Sequence, residues 1–401
     1  MNQALIIDAL RTPRGRGNDK GALKGVKPVE LLAQPLRELA RRHGLDTAQV
    51  ADGVFGCVTQ TGEQGANLGK LALVQAGWSD AVPGMTVNRF CASGLSAVQI
   101  AGWQALSANG LAVGGGVEMM SRVPMASDQG PLTHDFEFQR QTALVPIGLA
   151  ADAVATLEGF SRAQCDDYAQ ASQQRAGAAL AGGYFPSVVP VTSEGNTCLA
   201  HDETPRPQTS AASLANLPPA FATMGEKYGI DALLCQRLGL SRIDHVHHAG
   251  NSPAMADGAS AVLVASADAA RRLGLRARAR ILASADVSID RTLALTGALD
   301  ATRLALARAG LTAADIDLFE VNESFSALML HYMKHLGIGH DRLNVNGGAI
   351  ALGHAMGSTG ASLVGMAMDE LERRDLRRAV VAICGAAGVA VAMVIERAPS
   401  A

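Results

Sequence analysis

The sequence predicts an α/β protein in which mostly parallel sheets are covered by helices. Apolar strand segments alternate with amphipathic helices along the chain, the composition favours small residues, and one ordered set of elements occurs twice. The 401 residues include 48% hydrophobic and 18% charged residues and 43 glycines. That profile fits a close-packed α/β chain rather than a disordered or fibrous one. The length exceeds one simple core, so two domains or one large compound domain is expected.

In chain order, Met1 to Asp8 reads as a first strand, without the basic region and long apolar stretch of a signal peptide. A basic amphipathic helix, Leu36 to Gly44, leads into Leu45–Phe55. Met85, Thr86 and Val87 fit the end of a short buried strand, and Leu95, Val98, Ala101 and Leu106 mark an apolar helical face. Leu111–Gly116 is a buried strand. From Ser121 to Pro253 the texture changes, with ten of the 15 prolines and many Asp, Ser, Thr and Gln. One clear helix stands there, Arg162 to Ala181, opened by the Ser161/Gln164 capping pattern and stopped at Gly182-Gly183. So long an excursion reads as functional, a cover over a site.

The early elements then recur. Thr302–Gly310 repeats the basic helix ending in Gly, and Leu311–Glu320 resembles Leu45–Phe55. The pair Val345-Asn346 answers Val87-Asn88, and Val380–Gly385 answers Leu111–Gly116. This is an internal duplication with one copy in each half.

A net charge of −3 gives no general attraction to nucleic acid or acidic membranes. No apolar run approaches the roughly 18 residues of a membrane span, and a cytoplasmic location is expected. The six cysteines, Cys57, Cys91, Cys165, Cys198, Cys235 and Cys384, form no C-x-x-C pair, which argues against a disulfide framework or thiolate metal site.

Cys91 sits where a strand hands over to a helix, followed by the small residues Ala92, Ser93 and Gly94. Unpaired N–H donors and the helix dipole are expected to lower its pKa and make it nucleophilic, against the alternative of a packing cysteine. His354 lies in a Gly-rich loop, Asn344 to Gly360, that lacks phosphate-loop and dinucleotide spacing. It holds in copy two roughly the place of Cys91 in copy one, so two halves meeting about a pseudo-twofold would pair a nucleophile with its base. The turn Cys384-Gly385-Ala386-Ala387-Gly388 would let backbone approach a ligand, unless it is a plain strand-to-strand turn. Asn322 and Glu323 end a buried strand and need partners.

Together these stretches resemble the thiolase family of acetyl-CoA C-acyltransferases. The matching motifs are Asn88-Arg89-Phe90-Cys91-Ala92-Ser93-Gly94, Gly114 to Ser121, Asn322-Glu323-Ser324-Phe325, Gly347 to His354, and the Cys384 turn. Arg11-Thr12-Pro13, Ala249-Gly250-Asn251 and Asp257-Gly258-Ala259 add to the likeness, which runs over essentially the whole chain. The resemblance implies a duplicated, layered αβαβα fold with an inserted cover-loop domain. Residues 1–120 with 246–275 would form the first half, 121–245 the cover loop and 276–401 the second half.

It further implies an acyltransferase: thiolysis of a 3-oxoacyl-CoA by CoA to acetyl-CoA and a shortened acyl-CoA, or the reverse condensation, by a ping-pong route. Cys91 would carry the acyl group, His354 would activate it, and Cys384 would act as acid and base. Asn322, through a water, and His354 would hold the enolate oxygen. The backbone N–H groups of Cys91 and Ala386 would hold the oxyanion. Ser252, Ile147 and Phe325 would contact substrate or CoA. Coenzyme A would be a substrate with no cofactor tightly bound, no metal, nucleic acid or membrane would be involved, and the enzyme would be a homodimer or homotetramer.

The chain departs from the family pattern at several positions. Ala355 follows His354 where Pro is usual, Ala386-Ala387-Gly388 replaces Gly-Gly-Gly, Ser324 replaces Ala, and Pro146-Ile147-Gly148 replaces a Met-Gly pattern. The CoA-contacting Ser falls at Pro253, with Ser252 one place early. These loop details look more like degradative bacterial enzymes of bulkier or ring-derived acyl-CoAs. Two further readings stand beside this one: a thiolase-fold scaffold without turnover, and a carrier-protein-dependent condensing enzyme. His245-Val246-His247-His248 puts only His245 and His247 on one face, and no metal is expected there. His331 and His335 read as a solvated face, and Arg271, Arg272, Arg276, Arg278 and Arg280 as a solvated face or a basic rim.

Overall fold

The computed structural model describes residues 3–399. Its strands are β1 (Ala4–Arg11), β2 (Gly15–Arg16), β3 (Val50–Gly56), β4 (Gly84–Val87), β5 (Leu111–Met119), β6 (Val191–Ser193), β7 (Asn196–Leu199), β8 (Ala256–Ser266), β9 (Ala279–Ser288), β10 (Leu318–Val321), β11 (Arg378–Cys384) and β12 (Val389–Arg397). Ten of these form one sheet in the order β10-β11-β12-β9-β1-β8-β5-β3-β4, with β2 beside β8; β6 and β7 make a separate hairpin.

That order is a palindrome about the β1–β9 junction, where Leu5 and Ile6 pair antiparallel with Arg280 and Ala279. On either side the same pattern runs outward. β8 and β12 lie innermost, then β5 and β11, then β3 and β10. Each half therefore repeats the other. Thr47–Gln49 and Ala313–Asp315 form matching 3-10 turns before β3 and β10, each preceded by a helix capped by a left-handed glycine, Gly44 (φ 53°) and Gly310 (φ 67°).

The sheet is mixed, not mostly parallel. β3 is parallel to β4 and β5, and β10 to β11, but β8 and β12 return antiparallel. The connections explain this. β12 follows β11 through the tight turn at Gly385–Gly388, and a hairpin can only be antiparallel. β8 arrives from the 121–253 excursion rather than through a crossover helix.

Alternation along the strands divides the core into layers. One face of both halves, including Ile6, Val262, Val381 and Met393, packs on the helices Ser93–Ser107 and Met356–Arg373. The opposite face of the first half packs on the helix Pro28–His43, and that of the second half on Gly297–Ala309 and Ser326–Leu336. The two central helices are therefore covered by sheet from both sides, with helices outside. That is the expected αβαβα layering. The Met356–Arg373 helix is buried through Leu371, far more than an amphipathic helix with one wet face.

The excursion holds more helix than its composition suggests, including Ile147–Glu158 and Arg162–Gly182. The Arg162 helix carries the expected Ser161/Gln164 capping box and stops at left-handed Gly183. Cys165 is fully buried packing, as its place in that helix suggests. Among the described residues no single helix is long and apolar enough to cross a membrane.

Candidate active site

Cys91 and His354 hold equivalent places in the two halves. Each lies two residues before a central helix, which start at Ser93 and Met356. Each follows a residue with positive φ, Phe90 at 50° and Gly353 at 89°. For Phe90 that conformation costs on the order of 1 kcal/mol and must be held from outside. Asn88 Oδ1 accepts from Phe90 N at 2.8 Å, Ser93 Oγ accepts from Arg89 N at 2.8 Å, and Asn88 Nδ2 donates to Val58 O. The Cys91 turn is thus clamped before any ligand arrives.

The two helices meet at their first turns, through glycine. A Cβ at Gly94 would lie 2.7 Å from Gly357 O, and one at Gly357 2.7 Å from Cys57 Cα and Gly56 O. Glu118, fully buried, accepts from Gly357 N at 3.0 Å and from Val58 N and Thr59 N, so it ties the start of the His354 helix to the end of β3. Cys91 and His354, each three residues before these touching glycines, are brought to one end of the same helix pair. The residues Ala254–Met255 run beside His354, which donates its backbone N–H to Ala254 O at 2.8 Å.

Cys384 ends β11, and its turn abuts the Cys91 loop: a Cβ at Gly385 would lie 3.1 Å from both Arg89 O and Phe90 Cβ. Sγ of Cys384 is 3.0 Å from Ser324 Oγ, which accepts from Asn322 Nδ2 at 3.1 Å. Ala386 opens a 3-10 turn whose first N–H groups are free to face a ligand, and Ala387 sits left-handed at φ 57°. The register of both halves pairs Gly56 with Gly116 and Val321 with Ala382. Two residues further along β5 and β11, Glu118 therefore matches Cys384. One copy uses the position to brace, the other to present a thiol.

Burial sets the proton affinities. Burial pushes the Cys91 thiol up to about 12, with the neighbouring Cys384 and Glu118 adding to it. The expected lowering by the helix terminus is outweighed, because loss of solvent and nearby negative charge act on the anion more strongly than one turn of dipole. Cys384 is raised to about 11 by burial, which the Ser324 hydroxyl opposes. His354 falls to about 3 through burial and then the charge of Arg14, so its imidazole is neutral at pH 7. His354 Nδ1 is 2.9 Å from Thr359 Oγ1, while Nε2 is buried without a partner. The Asn322 Oδ1 and Ser252 Oγ atoms are likewise buried and unpartnered. Both thiols and the imidazole are therefore neutral at pH 7 in the free protein, and forming a Cys91 thiolate requires a proton acceptor.

Other expected positions fall differently. Ile147, the first residue of its helix, is 36% exposed. Phe325 is 4% exposed and packs edge-on against Phe221 and His247, so it backs the site wall instead of offering a face to a ligand. Glu323 accepts from Tyr168, Ser172 and the Ile350 N–H, which joins the excursion to the loop that carries His354. His245 and His247 bond to Asp152, and His248 to Asp166. Arg278 is spent on Asp8, Asp369 and Glu372, and Arg280 on Glu396, which removes both from a free basic rim. Sequence reasoning missed Thr359, noted Ser324 only as a departure from the family pattern, and left Arg14 unremarked. The signal for Ser324 was its place two residues after Asn322. Arg14 and Thr359 offered none.

Comparison with known proteins gives the same direction. Residues 4–229 match the family model for the thiolase N-terminal domain, and residues 275–397 that for the thiolase C-terminal domain. A 3-ketoacyl-CoA thiolase of Serratia proteamaculans is 38% identical over 99% of this chain and 100% of its own. A beta-ketoadipyl-CoA thiolase of Pseudomonas aeruginosa is 36% identical over 98% and 99%, and a 3-ketoacyl-CoA thiolase of Cronobacter sakazakii 37% identical over 99% and 100%.

Proposed function

Starting from a chain that belongs to the thiolase family and acts as a CoA-dependent acyltransferase, we propose that it cleaves 3-oxoacyl-CoA through an acyl-enzyme on Cys91. With Nδ1–H assigned as donor to Thr359 Oγ1, His354 Nε2, buried without a partner, is left as the acceptor and takes the Cys91 proton. The thiolate attacks the 3-oxo carbon, and the backbone N–H groups of Cys91 and Ala386 receive the oxyanion. The C2–C3 bond then breaks. Its electron pair passes to the acetyl-CoA enolate, whose oxygen is held by protonated His354 Nε2 and, through a water, by Asn322, and Cys384 delivers a proton to the carbon. In the second half Cys384 thiolate takes the proton of CoA, and the CoA thiolate displaces Cys91 from the thioester. His354 returns the proton to Cys91.

The observation that carries this reading is the set of buried side-chain atoms without partners, His354 Nε2, Asn322 Oδ1 and Ser252 Oγ, on residues expected to bind substrate. We read CoA as a substrate with no cofactor tightly bound, and the acyl group as bulkier than acetoacetyl, in keeping with the names of the relatives. We further read the enzyme as cytoplasmic, since all six cysteines are free. A homodimer or homotetramer fits the edge strand β4, where Met85 is exposed beside Leu71 and Val74. Steady-state kinetics over a graded panel of 3-oxoacyl-CoA substrates test the proposal. Parallel double-reciprocal lines and kcat/KM rising from acetoacetyl-CoA to longer or ring-derived acyl groups are expected; intersecting lines, or turnover undiminished in Cys91→Ala, would refute it.

A further inference from the structure

Glu158, His331 and His335 form a cluster that the acyl transfer does not use. Glu158 is the last residue of the Ile147–Glu158 helix in the excursion, whereas the histidines sit one turn apart on the Ser326–Leu336 helix. His331 Nδ1 lies 2.8 Å and His335 Nε2 2.6 Å from the same Glu158 oxygen, Oε1, and the three ligand atoms lie within 4.8 Å of one another. Lys334 Nζ holds the other oxygen, Oε2, at 2.8 Å. The side chains are 15%, 13% and 38% exposed for Glu158, His331 and His335, so His335 lies on the solvated face expected from the helix alone whereas His331 is largely covered.

We propose that Glu158, His331 and His335 bind a divalent transition-metal cation of the zinc class, with water completing the coordination. Two imidazoles and one carboxylate suit zinc, cobalt or nickel better than magnesium or calcium, which take mostly oxygen. Tetrahedral ligand bonds of about 2.0–2.2 Å set donor atoms about 3.4 Å apart, so each histidine nitrogen needs to move only about half to one ångström from Glu158 Oε1 to admit an ion. Each imidazole supplies its lone pair once its ring proton sits on the other nitrogen. The Lys334 contact orients the carboxylate from behind. Bound metal would cross-link the excursion to the helix that follows Asn322–Phe325, so it would brace the cover against the candidate site.

Metal-stripped full-length protein titrated with Co²⁺, followed by calorimetry and visible absorption, tests the site. One saturable equivalent is expected, with a ligand-field spectrum that lacks a thiolate-to-cobalt charge-transfer band. His335→Ala and Glu158→Gln should each weaken binding at least tenfold, and His335→Ala should leave metal-free thiolysis unchanged. Absence of saturable binding, affinity unchanged from the parent protein in both variants, or a thiolate band that marks the ion on a cysteine would overturn the proposal.

Discussion

Replacing Ser324 by Ala removes the hydroxyl that lies 3.0 Å from Cys384 Sγ and 3.1 Å from Asn322 Nδ2. The thiol of Cys384 is already pushed up to about 11 by burial, and Ser324 acts against that rise. A hydrogen bond to a charged group contributes about 1.5–3 kcal/mol, so its loss raises the thiol by roughly one to two pKa units. If about half of that is felt where the proton moves to carbon, kcat falls roughly three- to tenfold. The buried Asn322 amide also loses its acceptor, which costs about 1–3 kcal/mol of stability. The assay is kcat and KM for thiolysis at pH 8 beside a denaturant melt of the same protein. A fall in kcat with little change in KM for CoA is expected. An unchanged kcat in a folded variant would refute the proposed role of Ser324 in tuning the acid.

Three other perturbations follow from the same geometry. Gly357→Ala drives a Cβ to 2.7 Å from Cys57 Cα and Gly56 O, backbone that cannot yield, and should cost about 1–3 kcal/mol in denaturant unfolding along with most acyl transfer. Ala387→Gly relieves a left-handed alanine at φ 57° and should raise stability by about 0.5–1 kcal/mol, read as a higher Tm. The pH profile of stability has two limbs. His354 is depressed from 6.5 to about 3, so its contribution is present above pH 6.5 and is lost as pH falls through 3. Cys91 and Cys384 are raised from 9.0 to about 12 and 11, so theirs is present below pH 9 and is lost as pH climbs through those values. Thermal melts across pH should show a plateau between the limbs, and His354→Asn should flatten the acid side.

What was legible in the sequence was local or repeated. The Cys91 turn is a strand, a tight turn and a helix within one short stretch, and the Ser161/Gln164 box announces its helix directly. The duplication was visible because Gly44 and Gly310 stop equivalent helices before equivalent strands. What failed depends on contacts across long separations. The antiparallel return of β8 follows a long excursion, and its partners β1 and β5 cannot be read from its own alternation. Glu158 reaches His331 and His335 from another helix, so the histidine pair alone looked solvated. The direction of the Cys91 shift was misjudged for the same reason: the dipole is written in the local turn, but burial and the Glu118 carboxylate come from elsewhere in the fold.

The central claim is that Cys91 carries the acyl group while His354 and Cys384 move its protons. Rapid quenching of the enzyme with a 3-oxoacyl-CoA in the absence of free CoA, followed by peptide mass spectrometry, tests it most directly. The account predicts an acyl mass increment on the peptide containing Cys91 that free CoA then removes, and none in Cys91→Ala. An increment on another residue, or a Cys91 adduct that CoA cannot discharge, would contradict it.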